Sequence, residues 1–148
     1  MIERLIARST GFLGELLVAD RLQEMGFQTM PAPPGASQSD ILAISPSGRE
    51  FSIEVKTLGT PRGTFFLGSK VPDPRKSDFW ILVNLERQQN ELPQSATYHI
   101  YTVDEFVELF NDSPWNQAQM GQSRPSYDIR NHEMEKRPAV NAWSKLPD

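Results

Sequence analysis

Two strand-like runs around a single turn constrain this chain more than any other stretch. Asp40–Ile44 and Glu50–Thr57 are rich in residues that favour extended backbone, and Ser45-Pro46-Ser47-Gly48-Arg49 between them has turn chemistry. Together they predict a β-hairpin. In the second run a period of two places Ser52, Glu54 and Lys56 on one face, and Phe51, Ile53, Val55 and Thr57 on the other. If Ser45 lies opposite Arg49, then Asp40 lies opposite Glu54, with Cβ atoms about 4.5–5.5 Å apart. Two carboxylates at that spacing repel each other unless a cation sits between them. Mg²⁺ is the natural occupant, with Mn²⁺ able to substitute, because it takes carboxylate and water oxygens and keeps positions open for a phosphate. Lys56, further along the same face, is expected beside it. A plain surface ion pair between Glu54 and Lys56 is the other reading of this face.

The surrounding sequence supplies a scaffold for the hairpin. Residues 5–25 read as a helix that stops at Gly26, a residue suited to a helix C-terminus. Gly11, Glu15, Val18, Ala19 and Leu22 recur at helical spacing, so one carboxylate sits in a stripe of small and apolar residues that packs on a sheet. An unpaired charge buried there costs several kcal/mol or is neutralised. Glu15 is therefore expected to complete the site, by holding a second metal or a water on the first. Phe27–Met30 is a strand candidate, and residues 31–39 form a Pro/Gly loop. Phe79–Leu85 is a continuous apolar run, as in a central strand covered on both faces. Thr97–Thr102 is another strand, leading into a helix opened by a capping box between Thr102 and Glu105. From Asn111 the chain reads as polar and irregular, with a last helix around Glu133–Leu146. This order predicts an α/β (α+β) domain spanning residues 1–148, with helices flanking one mixed sheet.

Composition narrows the chemistry. With no cysteine and only His99 and His132, disulfides and thiolate or structural zinc sites are excluded, so any metal must be held by oxygen. No stretch approaches the roughly 20 apolar residues of a membrane span, and the first residues lack the apolar core of a secretory signal, so no membrane partner and a cytoplasmic location are expected. A net charge of −4 argues against coating nucleic acid by bulk charge. The charge is unevenly spread. Residues 84–112 hold Arg87 against Glu86, Glu91, Asp104, Glu105, Glu108 and Asp112, whereas residues 61–80 hold Arg62, Lys70, Arg75 and Lys76 against Asp73 and Asp78. The second stretch suits a phosphate backbone, with Arg62 and Lys70 as candidate substrate contacts. Solvated surface is the plainer reading of the same charges.

The run GELLVADRLQEMGF, the Pro/Gly loop, SDILAI, a short turn and FSIEVKT resemble the PD-(D/E)XK nuclease superfamily, which has the restriction endonuclease-like fold, and within it the archaeal Holliday junction resolvases, over residues 11–57. The resemblance implies metal binding by Asp40, Glu54 and the backbone carbonyl of Val55, and a catalytic role for Lys56 toward the attacking water. Glu15 corresponds to that family's helix acid. Ser39 stands where the family name has proline. Residues 58–78 do not read as the helix that usually follows the lysine strand, and Arg62–Ser69 looks instead like an added strand or flap.

The function implied is a Mg²⁺-dependent endonuclease that hydrolyses DNA phosphodiesters in repair, recombination or phage defence. Cutting both strands would favour a homodimer. The alternative is an inactive nuclease-like domain that binds a protein partner as an accessory or immunity subunit, for which the acidic 84–112 segment is the motive. His99 is expected to pack within a strand and His132 to be exposed. Trp115, Trp143 and Tyr127 are expected to serve packing ahead of base stacking.

Overall fold

The computed structural model describes residues 2–33, 39–59, 64–86 and 95–148. A first helix, α1 (Ile2–Glu24), is followed by β1 (Gln28–Pro31), β2 (Ile41–Ile44) and β3 (Glu50–Leu58). Next come β4 (Phe65–Gly68), a 3-10 turn at Pro74–Lys76, β5 (Phe79–Glu86) and β6 (Ser95–Thr102). The chain then forms α2 (Val103–Asn111), α3 (Pro114–Gln119), β7 (Tyr127–Ile129), α4 (Asn131–Glu135) and a 3-10 turn at Trp143–Lys145. Five strands make one mixed sheet in the order β1-β2-β3-β5-β6, in which only the β3–β5 pair is parallel. β4 and β7 form a separate antiparallel pair.

Local chemistry explains the elements that position the hairpin. α1 ends where Gly26, at φ +90°, turns the chain left-handed. Gly26 N–H then donates to Gln23 O and Phe27 N–H to Leu22 O, the double bond of a Schellman C-terminus. The hairpin turn closes through Ser45 N–H to Arg49 O at 2.8 Å and Gly48 N–H to Ser45 O at 2.9 Å. Ile41 pairs with Ile53 and Leu42 with Ser52, the register expected from the turn.

The sheet buries both faces, but unequally. On one face Val18 and Leu22 of α1 pack with Ala43, Ile53, Val55, Ile81 and Val83. On the other, Trp80, Leu82 and Tyr101 meet Phe106 and Leu109 of α2, Phe65 of β4 and Ile129 of β7. Trp80 stacks on Phe106 with ring centroids 3.9 Å apart. β5 contributes to both clusters, which accounts for its unbroken apolar sequence.

α1 approaches β3 closely at one point. A Cβ built on Gly14 would lie 1.8 Å from Thr57 Oγ1, so nothing larger than hydrogen fits there without moving the helix. The expected contact glycine, Gly11, has no such neighbour. The buried line of α1 runs through Gly14, Val18 and Leu22, with Gly11, Glu15 and Ala19 half-buried on its flank.

The C-terminal third departs from its sequence reading. The helix expected at Glu133–Leu146 is confined to α4, Asn131–Glu135. Pro138 lacks an N–H and its ring would clash with the preceding turn, so the helix cannot continue. The chain extends instead along β6, where Ile100 N–H donates to Ala139 O and Asn141 N–H to Tyr98 O. The segment expected to be irregular also holds α3, which starts at a Ser113 cap followed by Pro114, and the short β7.

Candidate active site

Asp40 sits one residue before β2, where its backbone N–H still donates to Ile53 O at 2.9 Å. Its carboxylate turns along β3 and accepts Val55 N–H at 2.8 Å. β2 pairs with β3 only as far as Ile53, so this side chain takes over where the backbone ladder ends. In an extended strand the N–H and C=O of one residue point to the same edge, so the Val55 carbonyl faces the edge that Asp40 occupies.

Glu54 is buried at 8% exposure on the opposite side of the pleat from Ile53 and Val55. Lys56 Nζ lies 3.3 Å from Glu54 Oε1. Glu54 Oε2 is buried with no hydrogen-bond partner among the described residues. Burial, then the charge of Asp40, pushes the Glu54 carboxyl up to about 7, against the opposing pull of Lys56. Asp40 is also raised, first by burial, with the Val55 N–H, Lys56 and Glu15 working the other way. Glu15 is raised by burial, by the charge of Asp40 and by a hydrogen bond to the Asp40 carboxylate. The structure thus brings Glu15, Asp40, Glu54 and Lys56 into one electrostatically coupled group.

This group fits a divalent ion held by few protein ligands. Three carboxyls resist ionising together, and the unpartnered Oε2 of Glu54 is a buried acceptor with nothing to accept from. Among the described residues no group of three or more His, Asp or Glu side chains is set to hold a metal ion. Mg²⁺ does not require one, since it is commonly held by one or two carboxylates with water and substrate phosphate filling the rest.

The raised Glu54 carboxyl gives the metal-free protein a definite pH dependence. In the unfolded chain Glu54 ionises near 4.5, whereas in the fold it stays protonated to about 7. Its contribution is therefore fully favourable below 4.5 and is lost as pH rises toward and through 7. At roughly 1.4 kcal/mol per unit, the loss is about 3 kcal/mol. Urea unfolding in EDTA is expected to show lower stability at pH 8 than at pH 5, and Glu54→Gln is expected to flatten the difference.

A cleft of about 440 Å³ opens beside Glu54 and Lys56, lined further by Leu67, Ser69, Lys70, Asp73, Lys76 and Trp80. Lys70 thus lines the same cleft as Glu54 and Lys56, while Arg62 lies outside the described residues, as do Arg87 and Glu91 of the acidic segment. The expected added strand is present as β4, Phe65–Gly68. Sequence reasoning missed Lys76 and Trp80 as cleft residues. Lys76 was visible only as one charge in a loop, and Trp80 only as part of an apolar run.

The remaining candidates take up structural positions. Tyr127 is buried at 3% exposure, and Trp143 packs against Tyr98 with centroids 5.1 Å apart. Trp115 is partly exposed, with the Arg130 guanidinium 4.1 Å above its ring. His99 is half-buried in β6, and burial holds its imidazole below the usual range; His132 is exposed. The acids around α2 are engaged within the chain. Asp104 pairs with Arg75, Glu105 with Lys145, and both Glu108 and Asp112 with Arg137.

No family model matches the sequence, and no curated protein matches it. Among solved structures, the chain is similar to a bacterial homing endonuclease, I-Ssp6803I, with a TM-score of 0.57 and 12% identity over 93% of this chain and 90% of that one. The likeness bears on the fold: a five-stranded mixed sheet flanked by helices.

Proposed function

We propose that this chain is a Mg²⁺-dependent endonuclease of the PD-(D/E)XK type, with residues 1–148 as a single nuclease domain acting on DNA. The observation that carries the reading is the coupled group itself: Asp40 and Glu54 at the end of the β2–β3 ladder, with Lys56 3.3 Å from Glu54. The nuclease-like fold of a homing endonuclease over 93% of the chain supports it.

Asp40, Glu54 and the Val55 carbonyl would hold the metal, with Mn²⁺ able to replace Mg²⁺. When bound, the ion supplies charge neutralisation at the scissile phosphate and acidifies water for attack. The chain's own groups do the rest. Asp40 is oriented by the Val55 N–H, and Glu15 fixes its second side through their shared hydrogen bond. Lys56 orients the attacking water and stabilises the negative charge that builds on the phosphate oxygens. Lys70 contacts the phosphate backbone beyond the reacting group.

The test is direct. Purified protein incubated with plasmid, branched and single-stranded DNA is expected to cut at least one of them with Mg²⁺ or Mn²⁺ and none in EDTA. Absence of metal-dependent cleavage on all three would overturn the proposal.

A further inference from the structure

The cleft beside Glu54 and Lys56 extends beyond the space a single phosphate would fill, and its far wall is held in register with the site by two pins. Glu54 is paired across the parallel ladder with Trp80, whose indole N–H donates to Pro74 O at 3.0 Å, fixing the start of the 3-10 turn at Pro74–Lys76. Ser39, immediately before Asp40, places its hydroxyl 3.3 Å from Lys76 O and 2.6 Å from Ser77 Oγ, fixing the end of that turn. Asp40 thus follows directly on, and Glu54 pairs across the ladder with, a residue bonded to the segment that carries Lys76. Serine at position 39 makes this second bond, which a proline there has no hydroxyl to form.

The charges along this wall are free to act on a ligand. Arg75 is taken up by Asp104 at 2.9 Å, but Lys70 and Lys76 are exposed, and neither pairs with a carboxylate among the described residues. The lining carries Lys56, Lys70 and Lys76 against Glu54 and Asp73. A metal held at Glu54 would add positive charge to that balance. An anion entering at Lys56 therefore meets a second cationic station along the same cleft.

We infer that Lys70 and Lys76 form a second phosphate subsite, which holds the backbone phosphate next to the one that is cleaved. The inference rests on the nuclease reading of the site. The substrate is then a polynucleotide strand gripped through its backbone on one side of the cut, and Ser39 is a positioning residue that keeps the subsite in register with Asp40.

The experiment measures binding of a short DNA duplex by the uncleaving Lys56→Ala protein in Mg²⁺ across a range of NaCl concentrations. Removing a cation that neutralises one phosphate makes the slope of log affinity against log salt shallower by about 0.9. The double variant Lys70→Gln/Lys76→Gln is expected to show that change and each single variant a part of it, Lys76→Arg to keep the parent slope, and Lys136→Gln, at an exposed position outside the cleft, to leave it unaltered. A slope for the double variant equal to that of its parent would overturn the subsite. Failure of the parent itself to bind at low salt would instead overturn the nuclease reading beneath it.

Discussion

Lys56→Ala is expected to slow metal-dependent DNA cleavage by about a hundred- to ten-thousand-fold while leaving metal binding intact. Lys56 sits 3.3 Å from Glu54 Oε1 and lowers the proton affinity of both Glu54 and Asp40. In the proposed mechanism its removal takes away the fixed cation assigned to the reacting phosphate without removing any of the proposed metal ligands. A divalent ion even loses a competing positive charge. A drop in rate with unchanged or tighter Mn²⁺ affinity, measured by single-turnover cleavage and by calorimetry, is therefore the signature. An unchanged rate would exclude Lys56 from the chemistry.

Asp40→Asn is expected to have the opposite profile, with Mn²⁺ affinity falling at least about ten-fold and metal-free stability rising. Changes even beyond the ligands themselves cost about 10–100-fold in metal affinity, so loss of a ligand carboxylate sets that as a floor. An asparagine oxygen can still accept the Val55 N–H that Asp40 accepts at 2.8 Å, so the local backbone bond survives. Yet the charge that raises both Glu54 and Glu15 is gone, and the strain of three neighbouring carboxyls is relieved. Thermal unfolding in EDTA at pH 8 should move up and unfolding in Mn²⁺ should move down, each relative to the unsubstituted protein. Movement in the same direction under both conditions would show that Asp40 is a structural residue alone.

The parts of the molecule that were legible in the sequence are those whose signals are local. The turn at Ser45–Arg49 set the hairpin register, and that register brought Asp40 to the Glu54–Val55 segment of β3. Thr102 and Glu105 form the capping box their spacing indicated. Glu15 could be read because a lone acid in an apolar helical stripe needs a partner, and it has one in Asp40. The parts that were not legible depend on contacts between distant residues. β7 is three residues long and exists through its pairing with β4, more than 50 positions earlier. Gly14 matters because of Thr57, not because of its neighbours in the helix. Lys76 gains its place through Ser39 and Trp80, neither of which marks it in sequence. In the acidic stretch that suggested a protein partner, Asp104, Glu105, Glu108 and Asp112 pair with Arg75, Lys145 and Arg137, cations that come from other segments.

The Oε2 of Glu54 is buried with no hydrogen-bond partner among the described residues. A group raised to about 7 by burial and by Asp40 is poised to bind a cation at neutral pH, when losing its proton costs little. In the proposed site Asp40 and Glu54 share a divalent ion. Crystals soaked in Mn²⁺ and measured for anomalous scattering test it most directly. An anomalous peak between the Asp40 and Glu54 carboxylates, absent from Asp40→Asn crystals treated alike, is the predicted result; no peak at that position in well-soaked crystals of the unsubstituted protein would contradict it.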